Sequence, residues 1–381
     1  MQASRIKIIV PPLFLLGAVV CMAPDFIGRV VPYTLYIGFF LSILIISFRN
    51  TIHFRFNSIE LGLYILVLFA FIKDVFLFSF GSIDQGFFLR DLVSVGFILS
   101  FSIWSKMDFF KRSFIFMLKI FLIFGFIISI LLLFPIGLDK VILPNYPPAM
   151  MLPYFAMFFS EKNRSLSFLN KVWGSFIFCL IFVVSYLLEA RAVFLALIIC
   201  SLILLVRKEN RKLLSLFVQS SFFFSGCLTF YIAINFNEDF FMNAVLTGRP
   251  AIWGHYLMAV YENNFLWGMG PVTSQFSESA ANVVRELMGR SGPHYGPHSL
   301  FILAVFQYGF VGFVFSLALI LALVRKYESE MWPLLISFLT LSLFASVYFG
   351  APYLYGVIIT ISACAIGTSR NSSDKGNING F

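Results

Sequence analysis

Apolar runs separated by short polar turns occupy nearly the whole chain. Twelve of them reach or approach the ~20 residues that cross a bilayer as a helix. They cover 8–23, 30–48, 59–80, 88–105, 114–134, 147–160, 172–188, 191–206, 213–235, 298–324, 332–349 and 352–368. Each run is continuously apolar, without the alternation that a membrane barrel needs. A backbone in lipid must satisfy its own hydrogen bonds, so continuous runs of this length predict helices. The expected fold class is all-α: a polytopic integral membrane protein of about 12 transmembrane helices. The sixth run is short and opens after Pro144, Pro147 and Pro148, which predicts a broken or re-entrant element. The first run follows Arg5 and Lys7 and imitates a secretory signal. Pro24 stands just after Cys21-Met22-Ala23, where cleavage would fall, so the run reads as an uncleaved span.

One stretch breaks the pattern. Residues 236–297 are mostly polar and divide the chain into helices one to nine (1–235), a long loop (236–297), helices ten to twelve (298–368) and a tail (369–381). The Asn- and Gly-rich tail is expected to be disordered and cytoplasmic. In the loop, Thr247 and Gly248 can cap a helix, and Pro250 suits its first turn. Ile252, Trp253, Tyr256, Leu257, Val260 and Tyr261 then recur at helical spacing. Two aromatic anchors on that face predict a helix lying in the membrane interface. Asn263-Asn264 and Gly268 to Pro271 end it. A second helix is expected from Ser274 to Met288, with Phe276, Ala280, Val283, Val284 and Leu287 on its apolar face. Gly289, Gly292 and Pro293 stop it. The loop therefore reads as an amphipathic helical cap.

Composition agrees with a membrane solvent. The chain is 60% hydrophobic and 12% charged, against roughly 45–50% and about 25% in soluble domains. A formal charge of +9 would suggest nucleic acid if it were clustered, but the charges lie in short loops and no nucleic-acid partner is expected. If the N-terminus is cytoplasmic, the inner loops hold eighteen of the 27 Lys and Arg, as the positive-inside rule requires. Both termini are then inside and 236–297 is periplasmic. Arg29, Arg90, Lys140, Arg191, Arg249, Arg285 and Arg290 fall outside, where topology does not explain them; Lys73 and Lys119 lie within spans. The five cysteines all sit in apolar runs without metal or disulfide spacing and read as packing residues.

Four polar residues stand out. Arg249 begins the first cap helix, where helix amides also favour an anion; the alternative is an arginine reaching up to water. His298 precedes the tenth run, where a neutral imidazole could take a hydroxyl proton; the alternative is a loop hydrogen bond. Arg191 lies at the tight outer turn between runs seven and eight, with a pair to Glu189 as the structural alternative. Arg90 opens the fourth run, with Asp91 or Asp84 as alternative partners. Lys73 and Asp74 are expected to form an internal ion pair. His294 and His298 are four apart, but Gly296-Pro297 prevents the helix that a zinc pair would need, and no nearby Cys or Glu completes the set. No metal and no cofactor are expected.

Three pieces together resemble the O-antigen ligase/polymerase superfamily, which includes Wzy-type polysaccharide polymerases and lipid A-core O-antigen ligases. They are Glu189-Ala190-Arg191-Ala192; Gly248-Arg249-Pro250-Ala251-Ile252-Trp253 with Asn264-Phe265-Leu266-Trp267-Gly268-Met269-Gly270; and Pro297-His298-Ser299-Leu300-Phe301-Ile302 with Tyr308-Gly309-Phe310-Val311-Gly312. Ser299 departs from the Asn common in the family. The resemblance implies a glycosyltransferase in the bacterial inner membrane with a periplasmic active site and metal-independent chemistry. His298 would be the base, and Arg191, Arg249 and Arg90 would bind the donor's pyrophosphate. His294, Glu189, Trp253 and Gly270 would support the loops or meet the acceptor. The implied donor is a glycan on undecaprenyl pyrophosphate. The acceptor is another lipid-linked repeat of O-antigen, capsule or exopolysaccharide for a polymerase, or a lipid A-core sugar for a ligase. Membrane lipids are partners, and the resemblance allows a chain-length regulator. The non-enzyme alternative, a polysaccharide flippase or transporter, would place charges at midplane and often show inverted repeats.

Overall fold

A computed structural model describes residues 2–22, 30–49, 56–81, 85–134, 146–162, 168–206, 208–235, 248–288, 296–345, 349, 351 and 353–368. Among them are fourteen α-helices and no strand: α1 (Gln2–Met22), α2 (Val30–Arg49), α3 (Ser58–Ser79), α4 (Gln85–Ser105), α5 (Phe110–Leu132), α6 (Tyr146–Lys162), α7 (Phe168–Leu187), α8 (Arg191–Leu205), α9 (Arg211–Ile234), α10 (Arg249–Asn263), α11 (Ser274–Met288), α12 (Leu300–Val324), α13 (Trp332–Ser342) and α14 (Leu354–Thr368). Helices α2, α3, α4, α5, α9 and α12 are long and apolar enough to cross a membrane, and shorter apolar helices accompany them. The protein is an all-helical, polytopic membrane protein. Each of the twelve apolar runs coincides with a helix, and α10 and α11 occupy the long loop.

Three expectations change. The sixth run is one continuous helix containing Pro153, and its middle, from Ala149 to Met157, is buried among other helices. Neighbouring side chains therefore surround the backbone that the prolines disturb. The run expected over 332–349 is helical only to Ser342; eleven residues rise about 16 Å, too little to cross a bilayer alone. Helix α10 is buried over its first two turns. Of the aromatic residues expected in the membrane interface, Trp253 and Tyr256 are 5% and 0% exposed, whereas Tyr261 near its end is 71% exposed, because α11 and α12 pack against the leading part of that face.

The most buried elements are α13, α14, the centre of α6 and the first half of α12. Peripheral helices turn large apolar side chains outward, such as Phe48 on α2, Ile127 on α5, Phe176 on α7 and Phe223 on α9. That surface suits lipid and would aggregate in water. Helix α3 is anchored at its start by a capping box. The Asn57 side chain accepts from the Ile59 and Glu60 amides, while Glu60 accepts the Asn57 amide. Lys106, just after α4, pairs with the buried Glu60 carboxylate at 2.9 Å, fixing α3 against the end of α4.

Helix α12 breaks at Gly309 (φ 68°, ψ −172°). Backbone released in this way must find partners inside a membrane protein. The turn after α10 supplies them. Phe310 and Val311 donate to the carbonyls of Phe265 and Leu266 (2.9 and 3.4 Å), and Met269 donates to Phe306 (2.6 Å). A Cβ on Gly268 would lie 2.4 Å from the Gly309 nitrogen, and one on Gly309 would lie 2.2 Å from the Leu266 oxygen. Two backbones therefore cross where only glycine fits. The Lys73 ammonium donates to the carbonyls of Trp267, Gly268 and Gln307 at 2.5, 2.7 and 2.8 Å. This corrects the expected ion pair: Lys73 hydrogen-bonds to these carbonyls, and Asp74 lies 4.0 Å from Arg90.

Candidate active site

Arg191 owes its position to the turn before it. Helix α7 ends in a Schellman arrangement in which Ala190 N–H reaches Ser185 O at 2.8 Å and Glu189 N–H reaches Tyr186 O at 3.1 Å. Glu189 takes the left-handed position (φ 53°) that glycine usually fills. Ala190 (φ −79°, ψ 62°) then makes an inverse γ-turn, with Arg191 N–H bonded to Glu189 O at 2.8 Å. Arg191 is thus the first residue of α8, exposed.

Arg249 is the first residue of α10, after Gly248 in the left-handed region (φ 78°) and before Pro250. Its guanidinium sits over the Phe344 ring, 5.4 Å from the centroid, a cation–π contact. His298 also has positive φ (44°). It stands one residue before Ser299, the N-cap of α12, whose hydroxyl is buried and makes no capping bond. The indole N–H of Trp253 on α10 donates to Pro297 O at 2.8 Å, tying the His298 loop to the helix that begins with Arg249. Among the described residues, Glu189 and His298 are the only non-glycines with positive φ. Such conformations cost about 1–3 kcal/mol and cluster at functional sites.

The three residues share one electrostatic environment. Burial, then the charge of Arg191, disfavours the protonated form of Arg249. Burial, then the charge of Arg249, lowers the His298 pKa to about 4. Among the described residues, no carboxylate forms an ion pair with Arg191 or Arg249. In particular, the expected alternative partner Glu189 does not pair with Arg191. Among the described residues, two guanidiniums without a carboxylate partner thus stand near an imidazole whose pKa is lowered. Such a group can receive an anion of two phosphates and take a proton from a hydroxyl.

Arg90 belongs to a different cluster. It bonds Asp91 at 2.9 Å, one of the two partners that sequence offered, and lies 4.0 Å from Asp74; the other, Asp84, is outside the described residues. With Lys73, Gln307 and Tyr308 these residues line a small polar cavity beneath Gly270 and Pro271. Gly270 (φ 92°) packs against Leu77. His294 and the tail 369–381 lie outside the described residues. Among those described, no three His, Cys, Asp or Glu side chains gather as a metal site. A larger apolar groove of about 450 Å³ runs between α9, α10 and α12, lined by Phe230, Leu257, Tyr261, Phe265, Val305 and Phe313 among others. Sequence reading missed Phe344, which gave no signal, being one of 51 phenylalanines. Lys73 was read as the partner of Asp74, without its carbonyl contacts.

No curated protein and no solved structure matches the chain. Residues 176–317 match the family model described as O-Antigen ligase. That stretch contains Arg191, Arg249, His298 and the crossing at Gly268 and Gly309. Over residues 176–317 the chain is therefore similar to the O-antigen ligase family, and that similarity supports the O-antigen ligase/polymerase superfamily.

Proposed function

We propose that the chain transfers a glycan from a polyprenyl pyrophosphate carrier to a sugar hydroxyl at the periplasmic face of the bacterial inner membrane, with Arg191 and Arg249 receiving the pyrophosphate and His298 acting as base. The supporting observation is the convergence of two arginines lacking carboxylate partners among the described residues with a neutral histidine. In the step, the acceptor hydroxyl gives its proton to His298 and its oxygen attacks the anomeric carbon. The bond from that carbon to the phosphate oxygen breaks, and the pyrophosphate leaves with the electron pair. The arginine forks match phosphate oxygens and stay charged, so they stabilise the charge that grows on the leaving group. The apolar groove beside α10 and α12 offers the isoprenoid tail a place next to the same two helices. Arg90, engaged by two carboxylates, is left out of this role.

The acceptor we infer is a second lipid-linked repeat, making the enzyme a polymerase of O-antigen, capsule or exopolysaccharide. The description of the matched model favours a second reading, ligation to a lipid A-core sugar. The test uses purified protein in liposomes with the lipid-pyrophosphate glycan that accumulates in cells lacking this chain. His298→Ala should abolish product while donor binding persists. Arg191→Lys and Arg249→Lys should each lower turnover about 10- to 100-fold through lost bidentate contacts. Full turnover in His298→Ala, or loss of the parent's activity in EDTA, would refute the mechanism. A ladder from donor alone identifies a polymerase; product formed only when lipid A-core is added identifies a ligase.

A further inference from the structure

We propose that Lys73, on a helix outside the matched segment, is a positioning residue of the transfer reaction and sets the register between Arg249 and His298. The inference rests on the functional reading above. Helix α10 and the first half of α12 lie side by side with their chain directions alike. Trp253 meets Pro297, the rings of Tyr256 and Phe306 are 4.8 Å apart, and Phe265 stacks on Phe310 at 5.4 Å. Their leading ends carry Arg249 and His298. Their trailing ends meet at the crossing of Gly268 and Gly309.

The pair is therefore held at two points. At the site end Trp253 donates a neutral hydrogen bond to Pro297 O at 2.8 Å. At the far end Lys73 joins both partners at once, with two carbonyls of the α10 turn and one of α12 on a single ammonium. Hydrogen bonds to a charged group are stronger than neutral ones, and α3 is itself fastened to α4 through Glu60 and Lys106. Lys73 thus refers both helices of the site to the scaffold. Seven residues of helix separate Gln307 from Leu300, about 10 Å, so Lys73 acts through α12 and not on the reacting atoms. Displacements of about 1 Å in a site can lower rates roughly 100-fold, and a sliding crossing would pass such a shift along α12 to His298.

The experiment measures kcat and donor KM in liposomes with the accumulated lipid-pyrophosphate glycan, for protein shown by thermal unfolding and size exclusion to be folded. Lys73→Met should lower kcat about 10- to 100-fold with KM changed less than about threefold, and Lys73→Arg, which keeps charged donors, should recover most of the loss. Lys119→Met, at an exposed lysine within α5, should match the parent. A purely structural role would reduce the folded fraction and leave kcat per folded molecule unchanged; that outcome overturns the proposal. If Lys73→Met does not fold, Lys73→Arg and Lys73→Gln decide the matter. The proposal requires a higher kcat for Arg than for Gln at similar KM, and equal values overturn it. His298→Ala in the same assay separates the two claims. Loss there with parental kcat in Lys73→Met defeats only the positioning role, whereas parental rates in both defeat the functional reading.

Discussion

The pH profile of turnover tests the site most directly. Burial and the neighbouring Arg249 lower the His298 pKa to about 4, against about 6.5 for an unperturbed histidine. At pH 5.5 a base of pKa about 4 is about 97% neutral, whereas one of pKa 6.5 is only about 9% neutral. A pyrophosphate esterified at both ends keeps its charges over this range, so the donor adds no limb of its own. The kcat/KM profile reports the free enzyme and the kcat profile the complex. Measured at limiting donor in liposomes, kcat/KM should therefore stay nearly flat from pH 7.5 to 5.5, where an ordinary histidine would lose about tenfold. Donor phosphates beside Arg191 and Arg249 would cancel part of the repulsion acting on His298 and raise its pKa. The acid limb of kcat should then lie at higher pH than that of kcat/KM. A kcat/KM limb near pH 6.5, or a kcat limb below it, would refute the shared environment of Arg249 and His298.

The fold makes further commitments. Gly309→Ala adds a Cβ 2.2 Å from the Leu266 carbonyl at positive φ; protein surviving detergent extraction should melt lower and turn over at least about tenfold slower, by thermal unfolding and the same assay. Because the His298 pKa is depressed in the folded state, the unfolded chain binds its proton first. The stability contributed by neutral His298 is present above about pH 6.5 and lost as pH falls toward 4. The unfolding midpoint of the parent should therefore drop more between pH 6.5 and 4.5 than that of His298→Ala, as read by scanning fluorimetry. Reporter fusions after Glu238 and at the C-terminus should give opposite compartment signals, and identical signals would overturn the periplasmic placement of the site.

Apolar periodicity made the helices legible because a helix in lipid needs little beyond length and hydropathy; even Ser274 to Met288 in the cap coincides with α11. Arg191, Arg249 and His298 stood out because topology left outer charges unexplained. What stayed hidden depends on contacts between distant segments. The helical spacing of Trp253 and Tyr256 marks an apolar face, but whether lipid headgroups or another helix covers that face is decided by where α11 and α12 fold. Lys73 reads as half of an ion pair because Asp74 is its neighbour in sequence. Its real partners are carbonyls 194 to 234 residues away, two in the turn after α10 and one on α12 beside its break at Gly309. Arg90 was ambiguous for a similar reason: sequence offered Asp91 or Asp84, and only the packing of α3 against α4 brings Asp74 to it as well.

Several unfavourable features of this fold belong to the candidate site. Glu189 and His298 each occupy a conformation that side chains avoid, at about 1–3 kcal/mol apiece. Arg191 and Arg249 repel each other, and burial weakens the hold of Arg249 on its proton. Packing could have relieved each of these separately: a glycine at 189, a carboxylate beside either arginine, an unburied histidine. A carboxylate beside either arginine would compete with the phosphates for it, and an unburied histidine would be protonated over more of the acid range. An anion between the guanidiniums would remove the repulsion, favour the protonated arginine and make His298 more basic, all by the same Coulomb interaction. Donor binding would thus activate the base, and the imidazole would gain proton affinity only when a leaving group is in place. The order of the two pH limbs tests this coupling, since a fold carrying the same strain for packing alone would show no shift on donor binding.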